Sequence, residues 1–331
     1  MKKALPILLA ALLLFVLTGC GRGQDVESVS KTSLKLDTVV TITLYDWTDP
    51  APIDLAFAEI DRLEALLSVE KEGSDLDRLT KAAGKEWVEI SPETEEVLRT
   101  AQKYSVLSEG HFDVTAGPLI DLWNIHDGEG HYPTSDELAA TLPLIQSSDL
   151  QIEDGKAFLA RDGMKANLGA IAKGYIADRV KSLLMEQGVE HAVLDLGRNI
   201  LLIGGKTEDT DFIIGVQDPN EEQSVTATVL AVRDKSLVTS GIDERYFTYE
   251  GKNYHHILDP FTGFPADNGL ASVTILSDSS VDGDALSTTC LLLGEEKGMA
   301  LIEGLDGIEA LFITETGERF ASSGFDTYLA E

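Results

Sequence analysis

Cysteine is nearly absent: the 331 residues hold two, Cys20 and Cys290. That excludes a disulfide framework, and no Cys or His spacing of the zinc type occurs. Basic residues are scarce, 26 against 57 acidic ones, for a net charge of −31. No run of Lys and Arg stands anywhere in the folded part, which argues against nucleic acid as a partner, because phosphate neutralisation takes clustered cations. An anionic small molecule remains admissible if a metal ion, backbone N–H groups or a few local cations neutralise it. The alternative is that the charge serves solubility alone. Internal repeats are lacking, as is any Pro- or Ser-rich linker in the body of the chain. With 43% apolar residues the sequence can bury one large core or two closely packed lobes.

The N-terminus carries a targeting pattern. Lys2 and Lys3 precede an apolar run, Ala4 to Leu17, which is short for a membrane span and suits a secretory signal. Leu17-Thr18-Gly19-Cys20 has the form of a bacterial lipobox. Residues 1–19 are therefore read as a lipoprotein signal peptide, Cys20 as the lipidated residue, 20–33 as a flexible tether and 34–331 as the folded domain. The alternative is a plain signal peptide with a chance cysteine. The expected location is extracytoplasmic, at the cell membrane, held by lipid on Cys20. Cys290 lies in an apolar stretch and is expected as a small core residue, not a nucleophile.

Periodicity gives the elements. Thr38 to Tyr45 alternates and reads as a strand. Ile53 to Leu67 reads as an amphipathic helix with Leu55, Ile60, Leu63 and Leu67 on its apolar face. Ser91-Pro92 opens a helix to about Leu107. Thr134 with Glu137 has the form of a capping box, and Ala172 to Gln187 is a helix stopped by Gly188. Short β-rich runs follow at Ala192–Leu196, Ile200–Ile203, Phe212–Val216, 224–232, Arg245–Tyr249, Tyr254–Leu258 and Leu270–Leu276. Asp282–Leu293 and Glu295–Glu303 read as helices, and Ile308–Thr314 with Glu318–Ala321 as a closing hairpin. The fold class expected is α+β, a single compact unit with helical and β-rich lobes around a cleft.

Five stretches carry polar residues, glycine and proline beyond what a core needs: 110–118, 167–175, 239–246, 255–265 and 282–289. On a helix, Asp284 and Thr288 stand four apart and share a face. Together they form a hard-oxygen half-site for Mg²⁺; the alternative is helix capping by Asp282 or Asp284. Lys173 falls in a first helical turn, where the macrodipole disfavours it; this hints at function, or at a merely solvated lysine. His256 suits a general base, or simply an edge strand. Asp259 suits a base-orienting or ligand-binding role, or an Asx-turn before Pro260.

The ordered motifs FDVTAGPLIDLW, NLGAIAKGYIADRV, TSGIDERYF, HHILDPFTGFP and VTILSDSSVDGDALSTTCLLLG resemble those of the ApbE flavin transferases, from about Leu36 to about Leu293. Several motifs in order are far more specific than one glycine pattern. The resemblance implies an α+β ApbE-like unit around a flavin cleft, with FAD as substrate and Mg²⁺ as cofactor. It implies transfer of FMN from FAD to a Thr or Ser hydroxyl of an acceptor protein, with release of AMP. Acceptors of the family suggest a membrane redox complex or an exported electron-transfer protein. Metal ligands carry over to Asp284, Thr288 and the Ala170 carbonyl, and catalytic roles to His256 and Asp284. Flavin contacts carry over to Leu36, His111, Phe112, Asp113, Asn167, Lys173 and Ile257, with Thr239, Ser240 and Asp259 near the ligand. The alternatives are an FAD pyrophosphatase using the same site and a flavin-binding lipoprotein without turnover. Three departures stand out. Asn167 replaces a common Asp, Arg198 follows Gly197 where Gly-Gly is usual, and Val69 and Glu70 occupy the region of a family tyrosine.

Overall fold

In the computed structural model, which describes residues 27–126, 128–222 and 225–330, Ser28 to Lys35 forms a strand, β1, and not the end of a tether. It pairs along its whole length with β2, Thr38–Tyr45, from Ser28 opposite Tyr45 to Lys35 opposite Thr38. Its linker-like composition is that of an edge strand: β2 buries Val40, Ile42 and Leu44, while β1 supplies mainly backbone pairing. Ion pairs Lys31–Asp54 and Lys35–Asp61, each 2.5 Å, tie it to the first helix. The signal peptide, Cys20 and the tether up to residue 26 lie outside the described residues.

The chain continues through α1 (Ala51–Leu67), α2 (Asp75–Lys81), β3 (Val88–Glu89), α3 (Pro92–Leu107), α4 (Gly117–Trp123), α5 (Ser135–Thr141), β4 (Leu150–Glu153), β5 (Lys156–Leu159) and α6 (Ala172–Glu186). Then come β6 (Ala192–Asp195), β7 (Asn199–Ile203), β8 (Phe212–Gln217), β9 (Thr226–Val232), β10 (Ser236–Gly241), β11 (Tyr246–Tyr249), β12 (Lys252–His255) and β13 (Leu270–Ser277). Helices α7 (Ser280–Leu293) and α8 (Glu295–Glu303) precede β14 (Glu309–Thr314) and β15 (Arg319–Ala321).

An antiparallel sheet in the order β1-β2-β6-β7-β10-β13-β14-β15 organises the α+β unit. The main core packs α1, α3, α6 and α7 on one face. The β8–β9 hairpin, through Phe212 and Leu230, and Phe325 cover the other, packing with Leu311 of β14. A third cluster gathers Trp123 with Phe247 and Leu258 under the β11–β12 hairpin. Most helices fall where periodicity places them. The Thr134–Glu137 capping box forms, and Cys290 is buried, its thiol pushed up to about 12 by burial.

The structure corrects several readings. Leu55 is 47% exposed; Ile53 and Ala56 face the core instead. Thr239 and Ser240, which periodicity assigned to no element, belong to the central strand β10, between β7 and β13. A strand so polar is affordable inside a sheet because its hydroxyls find partners, Thr239 with Thr274 at 2.8 Å among them. The run expected to extend to Leu258 stops at His255, where the chain folds back and Leu258 bridges Pro265.

Candidate functional site

Helices α6 and α7 cross closely at Gly174, where a Cβ would collide with the Ser280 carbonyl. The approach lets Asp284 of α7 reach the start of α6. Its Oδ2 accepts the Gly174 N–H at 2.8 Å, and the Lys173 N–H lies close to the same carboxylate. A helix start is rich in unpaired N–H groups and favours a negative charge. Capping of its own helix, one alternative for Asp284, is not what happens: it caps the neighbour. Asp282 accepts instead from the Tyr104 hydroxyl.

Ala170 lies just before the Ile171 N-cap of α6, and the first backbone bond of the helix runs from the Tyr175 N–H to the Ile171 carbonyl, so the Gly174 N–H is one of the helix's orphan donors and Asp284 satisfies it. Among the described residues no donor reaches the Ala170 carbonyl, which stands outside the helical ladder. Thr288 follows Asp284 by one turn, and its hydroxyl is 3.2 Å from that of Ser240, which also meets Ser287 at 2.8 Å. Asp284 is 4% exposed, and burial pushes its carboxyl above the usual range against the pull of Lys173 and the two amides. A buried carboxylate without a contacting cation, a free carbonyl and a hydroxyl are all hard oxygens, the donor chemistry that fits Mg²⁺. Among the described residues no three His, Cys, Asp or Glu side chains gather as a metal cluster.

Lys173 lies near enough to Asp284, Glu244 and His256 to act electrostatically on all three. His256 retains partial solvent access but is crowded by protein, and burial pushes its imidazole down to about 4. Its N–H and its Nδ1 both face the Arg245 carbonyl, at 3.1 and 3.2 Å. A carbonyl only accepts, so Nδ1 carries the proton and Nε2 keeps its lone pair. His255 points elsewhere, with Nε2 2.9 Å from the Ala266 carbonyl. Ile257 is buried beside it, 5% exposed.

A second group of expected residues meets at another place. The His111 ring packs edge-on against Phe261 at 4.9 Å, and its Nδ1 is buried without a partner among the described residues. Phe112 is buried beside Tyr104. The Asp113 carboxylate is already engaged by its own surroundings: Oδ1 by the Thr115 amide and hydroxyl, Oδ2 by the Ser147 amide at 2.9 Å. Asp259 closes an Asx-turn through the Phe261 N–H at 2.8 Å, the turn reading of the sequence. Asn167 does the same for Gly169 at 2.8 Å. A groove lined by Gln102, Gly110, Asp113, Gln146 and Phe261 opens beside this group.

Leu36 sits at the tip of the β1–β2 hairpin. Leu36 and Asp37 have φ of 53° and 55°, the left-handed values that a two-residue turn demands and that non-glycine residues adopt at a cost. Behind the tip, Gly197 lies so close to Thr38 that a Cβ there would clash. Next to it, Arg198 is not turned to solvent: its guanidinium grips Asp243 with two hydrogen bonds and faces Glu244 at 3.5 Å. The departure at 198 was visible in the sequence; its partners at 243 and 244 were not, since nothing in their spacing signals them.

Comparison with known proteins agrees with this architecture. The model of the ApbE family matches residues 36–312. An FAD:protein FMN transferase of Klebsiella pneumoniae is 35% identical over 302 residues, 91% of this chain and 93% of the relative. One from Treponema pallidum is 34% identical, covering 92% and 90%. The solved flavin transferase ApbE of Vibrio cholerae superposes with a TM-score of 0.83 at 28% identity, over 92% of this chain and all of that one.

Proposed function

Because the chain belongs to the ApbE family, we propose that it is an FAD:protein FMN transferase, moving FMN from FAD onto a Thr or Ser hydroxyl of an acceptor protein and releasing AMP. The observation that carries the reading is Asp284: one carboxylate caps α6 just after the unpaired Ala170 carbonyl and stands a turn from Thr288.

Those three oxygens would hold Mg²⁺, which when bound supplies positive charge against the pyrophosphate and the departing phosphate. Lys173 adds a cation to an otherwise acidic protein at the same place. His256 accepts the proton of the acceptor hydroxyl at Nε2, as its partner at Nδ1 dictates. The hydroxyl oxygen bonds to the FMN-side phosphorus, the bond from that phosphorus to the bridging oxygen breaks, and AMP leaves with the electron pair. The rest of catalysis is positioning, as in other phosphoryl transfers.

The N-terminal pattern supports attachment to the membrane by lipid at Cys20, with the enzyme outside the cytoplasm. A membrane redox complex or an exported electron-transfer protein is then the acceptor class within reach. Incubation with FAD and Mg²⁺, with and without an acceptor domain, tests the reaction. Covalent FMN on the acceptor with matching AMP supports it. Equal free FMN in both samples, with none bound, makes the protein a pyrophosphatase, and FAD binding without AMP makes it a carrier.

A further inference from the structure

We propose that Arg198 is a positioning residue that sets the orientation of His256 through the segment Asp243–Arg245. The proposal rests on the general-base role of His256 given above.

The backbone at Arg198 is left-handed, φ 54°, a conformation suited to glycine. A large cationic side chain is retained there against this strain, and its contacts show what it does. The guanidinium spans both oxygens of Asp243, and its Nε side faces Glu244. All three side chains are about one-quarter exposed, 23% for Arg198 and 25% for each acid, so the contact is partly shielded from water. A two-pronged Arg–carboxylate pair fixes direction as well as distance. The Arg198 carbonyl also accepts the Thr239 N–H at 2.9 Å, which anchors the arginine's own backbone to β10.

The segment so gripped is short. It leaves β10 at Gly241 and enters β11 at Tyr246. Besides the Ile242 N–H to the Ala271 carbonyl, 2.9 Å, the contacts of Arg198 attach Asp243 and Glu244 to the body of the protein. The next residue is Arg245, whose carbonyl receives both the N–H and the Nδ1–H of His256. The chain of contacts thus runs from the guanidinium to Asp243, through two peptide units to the Arg245 carbonyl, and to the imidazole. Rotation of that carbonyl by release of the segment would free Nδ1, remove the preference for one tautomer and turn Nε2 away from its line. The cation itself is engaged by two acids, so it is poorly placed to bind an anionic substrate.

The test is steady-state FMN transfer to an acceptor domain by the wild type, Arg198→Gly, Arg198→Lys, Asp243→Asn, His256→Gln and the double variant Arg198→Gly/His256→Gln. Glycine suits the local φ, so the first substitution adds no backbone strain. The expected result is a kcat about tenfold lower for R198G, with KM for FAD within about twofold. R198K should recover only part of the loss, since an ammonium cannot make the paired contact. The double variant should be no slower than His256→Gln, because both changes act through one imidazole. Wild-type kcat in R198G, a rise in KM at constant kcat, or additive losses in the double variant overturn the proposal. If R198G does not fold, D243N decides by the same criteria. His256→Gln with wild-type kcat would instead sink the role of His256, an outcome separable from failure of the latch alone.

Discussion

Asp178 and Asp284 cap each other's helices. Asp284 on α7 accepts the Gly174 N–H in the first turn of α6, and Asp178 on α6 accepts the Ser280 and Val281 N–H groups at the start of α7, at 2.8 and 2.9 Å. Asp178 also takes the Ser279 hydroxyl at 2.9 Å. Each carboxylate thereby answers orphan donors of its neighbour. The two differ in what remains: Asp178 has three donors within its own crossing, whereas Asp284 caps a helix that begins just after the unpaired Ala170 carbonyl and is followed a turn later by Thr288.

Asp178→Ala therefore should lower stability by about 2 kcal/mol, read as a lower midpoint in thermal or urea unfolding. Two amides and one hydroxyl lose their acceptor. A midpoint within error of the wild type would show that water replaces the carboxylate at no cost.

Asp284→Asn retains an acceptor for the Gly174 amide while removing the charge. The fold should survive, by circular dichroism and thermal midpoint, while AMP release with Mg²⁺ falls by roughly a hundredfold or more. Release near the wild-type rate contradicts the assignment of Asp284 to the metal and to catalysis.

Gly174→Ala should be among the most damaging conservative changes in the chain. The added methyl meets the Ser280 backbone and the adjacent Val281, neither of which can rotate away. Separation of α6 from α7 should cost about 2 kcal/mol or more and lower AMP release with it. Full stability together with full activity would mean that the crossing tolerates a methyl group at this point.

His256 supplies a pH signature. Its folded-state value, about 4, lies below the ordinary 6.5. Between those values the unfolded chain binds a proton that the folded chain refuses, so this group's contribution is intact above 6.5 and is lost as pH falls toward 4. Wild-type protein should lose on the order of 1 kcal/mol more than His256→Gln between pH 7.5 and 5. Parallel stability curves would show that the imidazole is not desolvated. The acid limb of transferase activity assigned to this base should likewise fall near pH 4 to 5, well below 6.5.

Cys290 is fully buried and its thiol pushed up to about 12, so native protein should resist thiol alkylation that proceeds readily after unfolding. Equal labelling rates in both states would place Cys290 at the surface.

Most elements were legible from local patterns, because their signals act over a few residues. The Thr134–Glu137 box, the Ser91-Pro92 start and the closing hairpin follow from capping and turn chemistry. So did the common face of Asp284 and Thr288, which is helix periodicity alone. The strands β1 and β10 were not legible: one has the composition of a linker and the other of a polar loop, and long-range pairing with β2, β7 and β13 decides both.

What the sequence determined by itself was the family, the helix that carries Asp284 and Thr288, and the nature of the oxygens at hand. Only the tertiary structure decided that Asp284 would serve the opposite helix, next to the unpaired Ala170 carbonyl, and that His256 would be oriented by a segment that Arg198 holds. These relations join residues some 110 and 45 positions apart. Their energies come from desolvation and hydrogen-bond geometry created when the elements pack, and no local pattern of residues encodes those.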